Sequence, residues 1–331
     1  MKLPFIVKYR PKTFSEFKMP TQLKCFLESS VLTSNLFLLL VGEPGSGKTT
    51  LLNIIIDTYF GADRQSPGLM GSHVLFVNSL REQGIQFYRN DVKTFCQTKS
   101  AIPGKRKIVV LDDIDFINEQ SQQVFRNCID KYSGNVLFLI SCINTQKVIE
   151  SLQSRTTIVK LGCVGEQELT DIMDRIIDEE NLRLTEEARV CLRTVCNGNV
   201  RLLINYLEKI MLLEAEITLP VMQSLCSNIN HESLTEYMSL CQSGDLRGAV
   251  SLINTLGDQG YSVMDILDNL MVFVKRASAI SENERYNLLP VICKYVVIFH
   301  EIHEDNIELT LLTNDLISAM ESDVSPLLKG V

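Results

Sequence analysis

The run Gly42-Glu43-Pro44-Gly45-Ser46-Gly47-Lys48-Thr49 constrains this chain more than any other stretch of its length. It follows an apolar segment of buried-strand character, Asn35 to Val41 (NLFLLLV), and precedes Thr49 to Tyr59, where apolar residues recur at helical spacing. A glycine turn between a buried strand and a helix lets several backbone N–H groups converge, and the helix N-terminus adds positive potential. The pattern G-x-x-x-x-G-K-[ST] in that context is a phosphate-binding loop. Gly42, Glu43, Pro44, Gly45, Ser46, Gly47, Lys48, Thr49 and Thr50 are therefore candidate nucleotide-binding residues. In such a loop the lysine reaches the β- and γ-phosphates and the threonine hydroxyl ligates Mg2+.

A buried strand leading into this loop calls for a parallel sheet, and three further strand candidates supply one: Val74 to Asn78, Lys107 to Leu111 and Asn135 to Ser141. Helical patterns lie between them, which predicts an α/β fold with helices on both faces of the sheet. The Lys107 strand ends in Asp112-Asp113-Ile114-Asp115, so it delivers carboxylates to the sheet edge where the phosphates lie. Asp112 is the expected Mg2+ partner, and Asp113 is placed to polarise an attacking water. A bland alternative is an acidic helix start, which Asp113 or Asp115 alone would satisfy.

After about Gly162 strand signals stop and amphipathic helical patterns take over. Breaks at Asn197-Gly198-Asn199, Thr218-Leu219-Pro220 and Asn228-Ile229-Asn230 outline a small helical domain. A second run of helices starts at His231. The expected division is residues 1–162 as the nucleotide-binding domain, 163–230 as a helical lid and 231–331 as a further helical domain. A chain of 331 residues is long enough for that many cores.

Composition excludes several classes. With 45% hydrophobic and 22% charged residues and no long apolar run, the chain reads as globular, without a membrane partner. Met1-Lys2-Leu3-Pro4 is followed by polar residues rather than the apolar core of a signal peptide, so secretion is not expected. Ten cysteines are scattered without a C-x-x-C pair; Cys191 and Cys196 read as packing residues, and His300 and His303 lack companions for a ligand set. The net charge of −8 argues against a protein that coats nucleic acid by itself. The charge is uneven, however: residues 281–331 hold only Arg285, Lys294 and Lys329 as bases among many acids, whereas the first sixty residues lean basic.

The chain resembles the small subunits of replication factor C, AAA+ proteins that load a sliding clamp onto primer–template DNA. The likeness begins at Val7-Lys8-Tyr9-Arg10-Pro11-Lys12, similar to an E-K-Y-R-P-K segment that lines the adenine pocket in the family, with Val7 for the acid and Phe5 for a preceding tryptophan. It continues through the phosphate loop, through Asn78 and Gly84 in a weakened N-A-S-D-E-R-G element, and through the acidic strand end. Gln153-Ser154-Arg155 resembles the family's S-R-C motif, with Thr156 for its cysteine. The resemblance implies that Arg155 reaches ATP held by a neighbouring subunit. Arg201 in Gly198-Asn199-Val200-Arg201 is similar to a G-D-M-R element whose arginine contacts nucleotide in the same subunit. Also implied are an AAA+ module with a C-terminal helical collar, ATP and Mg2+ as cofactors, and Arg10 and Pro11 beside the base. Implied partners are other loader subunits, a sliding clamp and DNA, in the nucleus or a viral replication compartment.

Departures temper the mechanism. The family's D-E-A-D reads Asp112-Asp113-Ile114-Asp115, with an aspartate one methylene shorter than the catalytic glutamate. Counted without gaps from Asp112, the family's sensor asparagine falls on Ile143, and the adjacent Asn144 is the polar candidate. Two other readings stay open: another AAA+ ATPase of DNA replication, or an ATP-holding interaction subunit that scarcely hydrolyses. Arg81, Arg89 and Lys93 are DNA-contact candidates, as is the cluster Lys105-Arg106-Lys107; a solvated face explains them nearly as well. Phe116 and Ile117 are candidate exposed apolar contacts for the clamp.

Overall fold

The computed structural model describes residues 3–61, 69–78, 88–196, 198–213, 215–225, 231–277, 280–301 and 306–321. They fall into two compact units, Met1–Leu219 and Pro220–Val331. The first contains a five-stranded parallel sheet of β1 (Leu38–Gly42), β2 (Val74–Asn78), β3 (Lys107–Asp112), β4 (Val136–Cys142) and β5 (Thr157–Leu161) in the order β2-β3-β4-β1-β5.

The apolar runs become central strands because both of their faces are covered. Leu38 and Leu40, Ile108 and Val110, Leu137 and Leu139 turn to one face, against α1 (Thr21–Leu32) and α2 (Lys48–Phe60). Leu39, Val109, Leu111, Phe138 and Ile140 turn to the other, against Phe125, Cys128 and Ile129 of α3 (Glu119–Tyr132). The period of two thus sends the apolar residues of the central strands alternately to one of two cores, and from Ile108 to Leu111 and from Val136 to Ile140 no residue is polar. Asn118 starts α3 as its N-cap, its side chain accepting the Ser121 N–H at 2.9 Å.

Three sequence expectations shift. Strand β1 starts at Leu38 rather than Asn35, because a left-handed Ser34 (φ 55°) and the bond from Asn35 N–H to the Ser30 carbonyl shape Asn35 as a turn. Strand β5 was not expected; its alternation is buried only at Val159 and Leu161, as befits a sheet edge, and the β-branched run Thr156 to Val159 was its one signal. The cluster Lys105-Arg106-Lys107 is not a free basic patch. Lys105 donates to the Tyr59 carbonyl at 2.7 Å, Arg106 to the carbonyls of Ser133 and Ser34, and Lys107 to Thr98 Oγ1 at 2.5 Å, so these cations tie the entry of β3 to its surroundings.

After β5 the same unit continues as α4 (Glu166–Glu180), α5 (Glu186–Cys196) and α6 (Val200–Leu213), which pack through Leu169, Met173, Ile176, Leu192, Leu203 and Leu207. The second unit is α-helical: α7 (His231–Gln242), α8 (Leu246–Asp258), α9 (Val263–Arg276), α10 (Glu282–Glu301) and α11 (Asn306–Glu321) enclose their own core around Leu267, Leu270, Ile292 and Leu312. Among the described residues no helix is long and apolar enough to cross a membrane. Cys196 is buried and Cys191 half-buried, as packing residues; His303 and the side chain of His300 lie outside the described residues.

Candidate nucleotide-binding site

The phosphate loop leaves the carboxyl end of β1 at Gly42 and closes onto α2. Gly45 (φ +83°) and Gly47 (φ +89°) hold left-handed conformations that a side chain would strain. Gly47 also lies under Phe17, whose ring would be 2.9 Å from a Cβ placed there. Lys48 is buried, its ammonium donating to the carbonyls of Gly42 at 2.8 Å and Glu43 at 3.2 Å. That cation is folded back onto the loop's own carbonyls and does not line the cavity beside it. Glu43 and Pro44 are exposed on the outer side of the turn.

Thr49 Oγ1 donates to Asp112 Oδ2 at 2.9 Å, so the expected metal-binding pair meets between the first turn of α2 and the end of β3. Ser141, at the end of β4, donates to Asp112 Oδ1 at 2.6 Å and accepts the Asp113 N–H at 2.8 Å. This serine went unnoticed in the sequence; its signal was a hydroxyl closing the apolar run of β4. Asp113 turns left-handed (φ 53°), a conformation aspartate tolerates better than most residues. Its carboxyl is pushed above the usual carboxylate range by burial and then by Asp112, while Lys48 and Arg201 oppose the shift. Asp115 is spent on structure: Oδ2 accepts the Ile143 N–H at 2.6 Å, fastening the end of β4 to the turn after β3.

A cavity of about 500 Å3 opens beside the loop. Arg10, Pro11, Gly45, Ser46, Gly47, Thr49, Thr50 and Arg201 line it, so most of the expected nucleotide contacts converge on one space. Its apolar wall comes from Ile6, Val7, Tyr9, Ile172 and Ile204, a surface suited to a flat base. The N-terminal segment closes the wall by gripping both neighbours. Arg10 donates to the Thr49 carbonyl at 3.2 Å, while Glu180 of α4 accepts from Lys8 Nζ at 2.5 Å and from Tyr9 OH at 2.6 Å. Lys18 pairs with Asp171 on the same helix at 3.0 Å.

The donor set fits a magnesium nucleotide. Ser46 Oγ is buried in the cavity wall with no hydrogen-bond partner, and Thr49 with Asp112 presents only hard oxygens. Among the described residues no cluster of three His, Cys, Asp or Glu side chains could hold a metal unaided, so the ion would share phosphate oxygens.

Two expected residues stand elsewhere. Asn144 does not line the cavity; its side chain caps the next turn, accepting the Gln146 N–H at 2.9 Å. Arg155 is likewise absent from its own cavity: Nε donates to Asp130 Oδ1 at 2.5 Å and Nη1 to the Ser151 carbonyl at 2.7 Å. Lys93 is exposed beside a π-helical turn, Tyr88–Val92. Arg81, Gly84 and the side chains of Asn78 and Arg89 lie outside the described residues. Phe116 is exposed as expected, but Ile117 is buried against the α3 side of the sheet and is not available to a partner.

A phosphate loop and a lid arginine lining one cavity, with an acidic strand end bonded to the loop's Thr49, on a sheet of this order, define an AAA+ P-loop ATPase. The family model described as "ATPase family associated with various cellular activities (AAA)" matches residues 38–161, and the "Replication factor C C-terminal domain" model matches residues 229–295. A replication factor C small subunit of Methanoregula boonei is 31% identical over 76% of this chain and 77% of its own length. A putative replication factor C small subunit of Acanthamoeba polyphaga mimivirus is 25% identical over 97% of this chain and 98% of its own. The structure of the Thermotoga maritima RuvB Holliday junction branch migration motor shares the fold, with a TM-score of 0.52 and 16% identity over 75% of this chain and 85% of that one. The chain belongs to the replication factor C small-subunit family, the AAA+ ATPases of sliding-clamp loaders.

Proposed function

We propose that this chain binds ATP with Mg2+ in the cavity between the phosphate loop and helices α4 and α6, within a hetero-oligomeric loader that opens a sliding clamp and places it on primer–template DNA. The observation that carries this reading is the meeting of Thr49 and Asp112 beside a loop whose cavity also receives Arg201. In it the buried Lys48 and the loop amides hold phosphate oxygens, Thr49 and Asp112 hold the metal, and Asp113 orients the attacking water. Bound Mg2+ neutralises charge on the phosphates. Arg201 favours the closed lid by drawing α6 toward the same phosphates.

Arg155 acts in trans. A guanidinium fixed by Asp130 and Ser151 at a distance from its own cavity suits a role at a neighbour's γ-phosphate. The three-part division at residues 162 and 230 assigns the lid to the ATP site and the last helical part to a collar that joins subunits. The replication compartment follows as its place of work, the nucleus in a eukaryotic cell. Lys93, Arg81 and Arg89 are proposed to face DNA and Phe116 to face the clamp.

The test is ATP turnover by the assembled loader with clamp and primed DNA, measured beside nucleotide affinity. Lys48→Ala in this chain is expected to abolish its ATP binding, and Asp113→Asn to keep binding while removing this subunit's share of turnover. A second reading, an ATP-holding subunit that mainly serves its neighbour, is favoured by the short carboxylate of Asp113 and its raised pKa. It prevails if Asp113→Asn leaves turnover unchanged while Arg155→Ala lowers it.

A further inference from the structure

The junction between the phosphate loop and α6 contains a contact that neither the nucleotide motif nor the lid arginine accounts for. Gly198 packs so closely on the chain after β5 that a Cβ there would lie 3.2 Å from the Val164 carbonyl oxygen and 3.3 Å from Cys163 Cβ. With that turn fixed, Asn199 is aimed at the phosphate loop. A Cβ placed on Gly45 would lie 2.2 Å from Asn199 Oδ1, 2.7 Å from its Cγ and 2.9 Å from its Nδ2. The whole carboxamide therefore rests on the Gly45 Cα, and only a glycine permits the approach. The same Oδ1 accepts the Leu202 N–H at 3.1 Å, and the Asn199 carbonyl accepts the Leu203 N–H at 3.1 Å, so the side chain is locked to the first turn of α6.

We propose that Asn199 is a positioning residue that couples the phosphate loop to α6, so that seating a triphosphate at Gly45 fixes the helix that carries Arg201. The inference rests on reading the cavity as the ATP site. Gly45, Val200 and Arg201 all line that cavity, and Asn199 is the link between them in space as well as in sequence. Its carboxamide touches the loop on one side and caps the helix on the other. In a close-packed contact of this kind, a shift of the Gly45 backbone cannot be absorbed by empty space and passes to α6. Aspartate has the same length and the same capping oxygen. Serine caps equally well but is too short to rest on Gly45.

The experiment measures amide hydrogen exchange across residues 200–207 of the full-length chain, with and without Mg2+-ATP, together with ATP affinity and the unfolding midpoint. In wild type, ATP is expected to slow exchange in this first half of α6 about tenfold. Asn199→Ser should keep the wild-type midpoint and the wild-type exchange without nucleotide. It should also lose most of the slowing by ATP and bind ATP roughly fivefold more weakly, the low end for coupled sites. Asn199→Asp should retain the slowing. If Asn199→Ser responds to ATP as wild type does, Asn199 is a helix cap and the proposal is wrong; it is equally wrong if Asn199→Asp loses the response with serine. Should wild type bind ATP without any slowing, only the coupling fails, whereas a wild type that binds no ATP overturns the site itself.

Discussion

At Asp113 the demands of chemistry and of folding oppose each other. Its carboxyl is raised by burial and by the neighbouring Asp112, so the folded protein holds that proton more tightly than the unfolded chain does. The sign follows from linkage: an acid with a raised folded pKa favours the fold at low pH, and that contribution is lost as pH rises through the folded value. At neutral pH the ionised group therefore weighs against folding, and Asp113→Asn is expected to raise the unfolding midpoint of the nucleotide-free chain by about 1 °C. The gain should fade as pH falls through the raised folded value, below which wild type is itself neutral. A thermal melt at several pH values checks this; an unchanged or lower midpoint at pH 7.5 would show that the carboxylate is held by partners that stabilise it.

Arg155 and Asp130 make the complementary case. Asp130 is held below the usual carboxylate range chiefly by its hydrogen bond from Arg155, and Arg126 Nε lies 3.3 Å from its other oxygen. An exposed pair of this sort contributes little to stability. Asp130→Asn should leave the melt of the chain nearly unchanged and should lower turnover in the assembled loader by misdirecting Arg155. An equal loss of stability and turnover would instead mark the pair as structural. Such readings of single residues were open to the sequence only where a motif named the residue. Ser141 and Glu180 act through contacts between distant segments, and no local pattern singled them out; Asp115 and Asn199 stood inside motifs, but their contacts to Ile143 and to Gly45 were not legible there.

Whole elements were legible where burial made their composition uniform. Strands β3 and β4 and helix α2 show why: Leu51, Leu52, Ile54, Ile55 and Ile56 are all buried, so α2 is apolar nearly all round and packs between the sheet and its neighbours. Strand β5 was missed because an edge strand buries only part of its residues and so carries a weaker signal. The basic cluster before β3 misled for a related reason. Long cationic side chains bury their stems and bring their charged ends to backbone carbonyls, so charge in the sequence did not mean charge offered to a partner. Since α2 also begins with Lys48 and Thr49, its packing can be varied apart from its chemistry. Ile55→Ala is expected to destabilise the first unit by about 2–5 kcal/mol and Ile55→Val by about 0.5–1.5 kcal/mol. Denaturant melts read the loss, and ATP affinity measured well below the transition should change little in either variant.

On the scale of the whole molecule, the two units have separate cores. The sheet and its helices bury one set of residues on each face of the sheet, and the five long helices of the second unit bury another. The lining residues of the nucleotide cavity all belong to the first unit. A ligand stabilises only the part that binds it, by about 2.7 kcal/mol when its concentration is a hundred times the dissociation constant. Hydrogen exchange resolved along the chain should therefore show ATP slowing the deepest amides of β1, β3 and β4 while those of α9 and α10 keep their rates. Lys48→Ala should abolish the difference between the units, because it removes the binding that creates it. If the α9 and α10 amides slow by the same factor as those of the sheet, the chain unfolds as one cooperative body, and nucleotide binding already reaches the last helices within a single subunit before any partner is added.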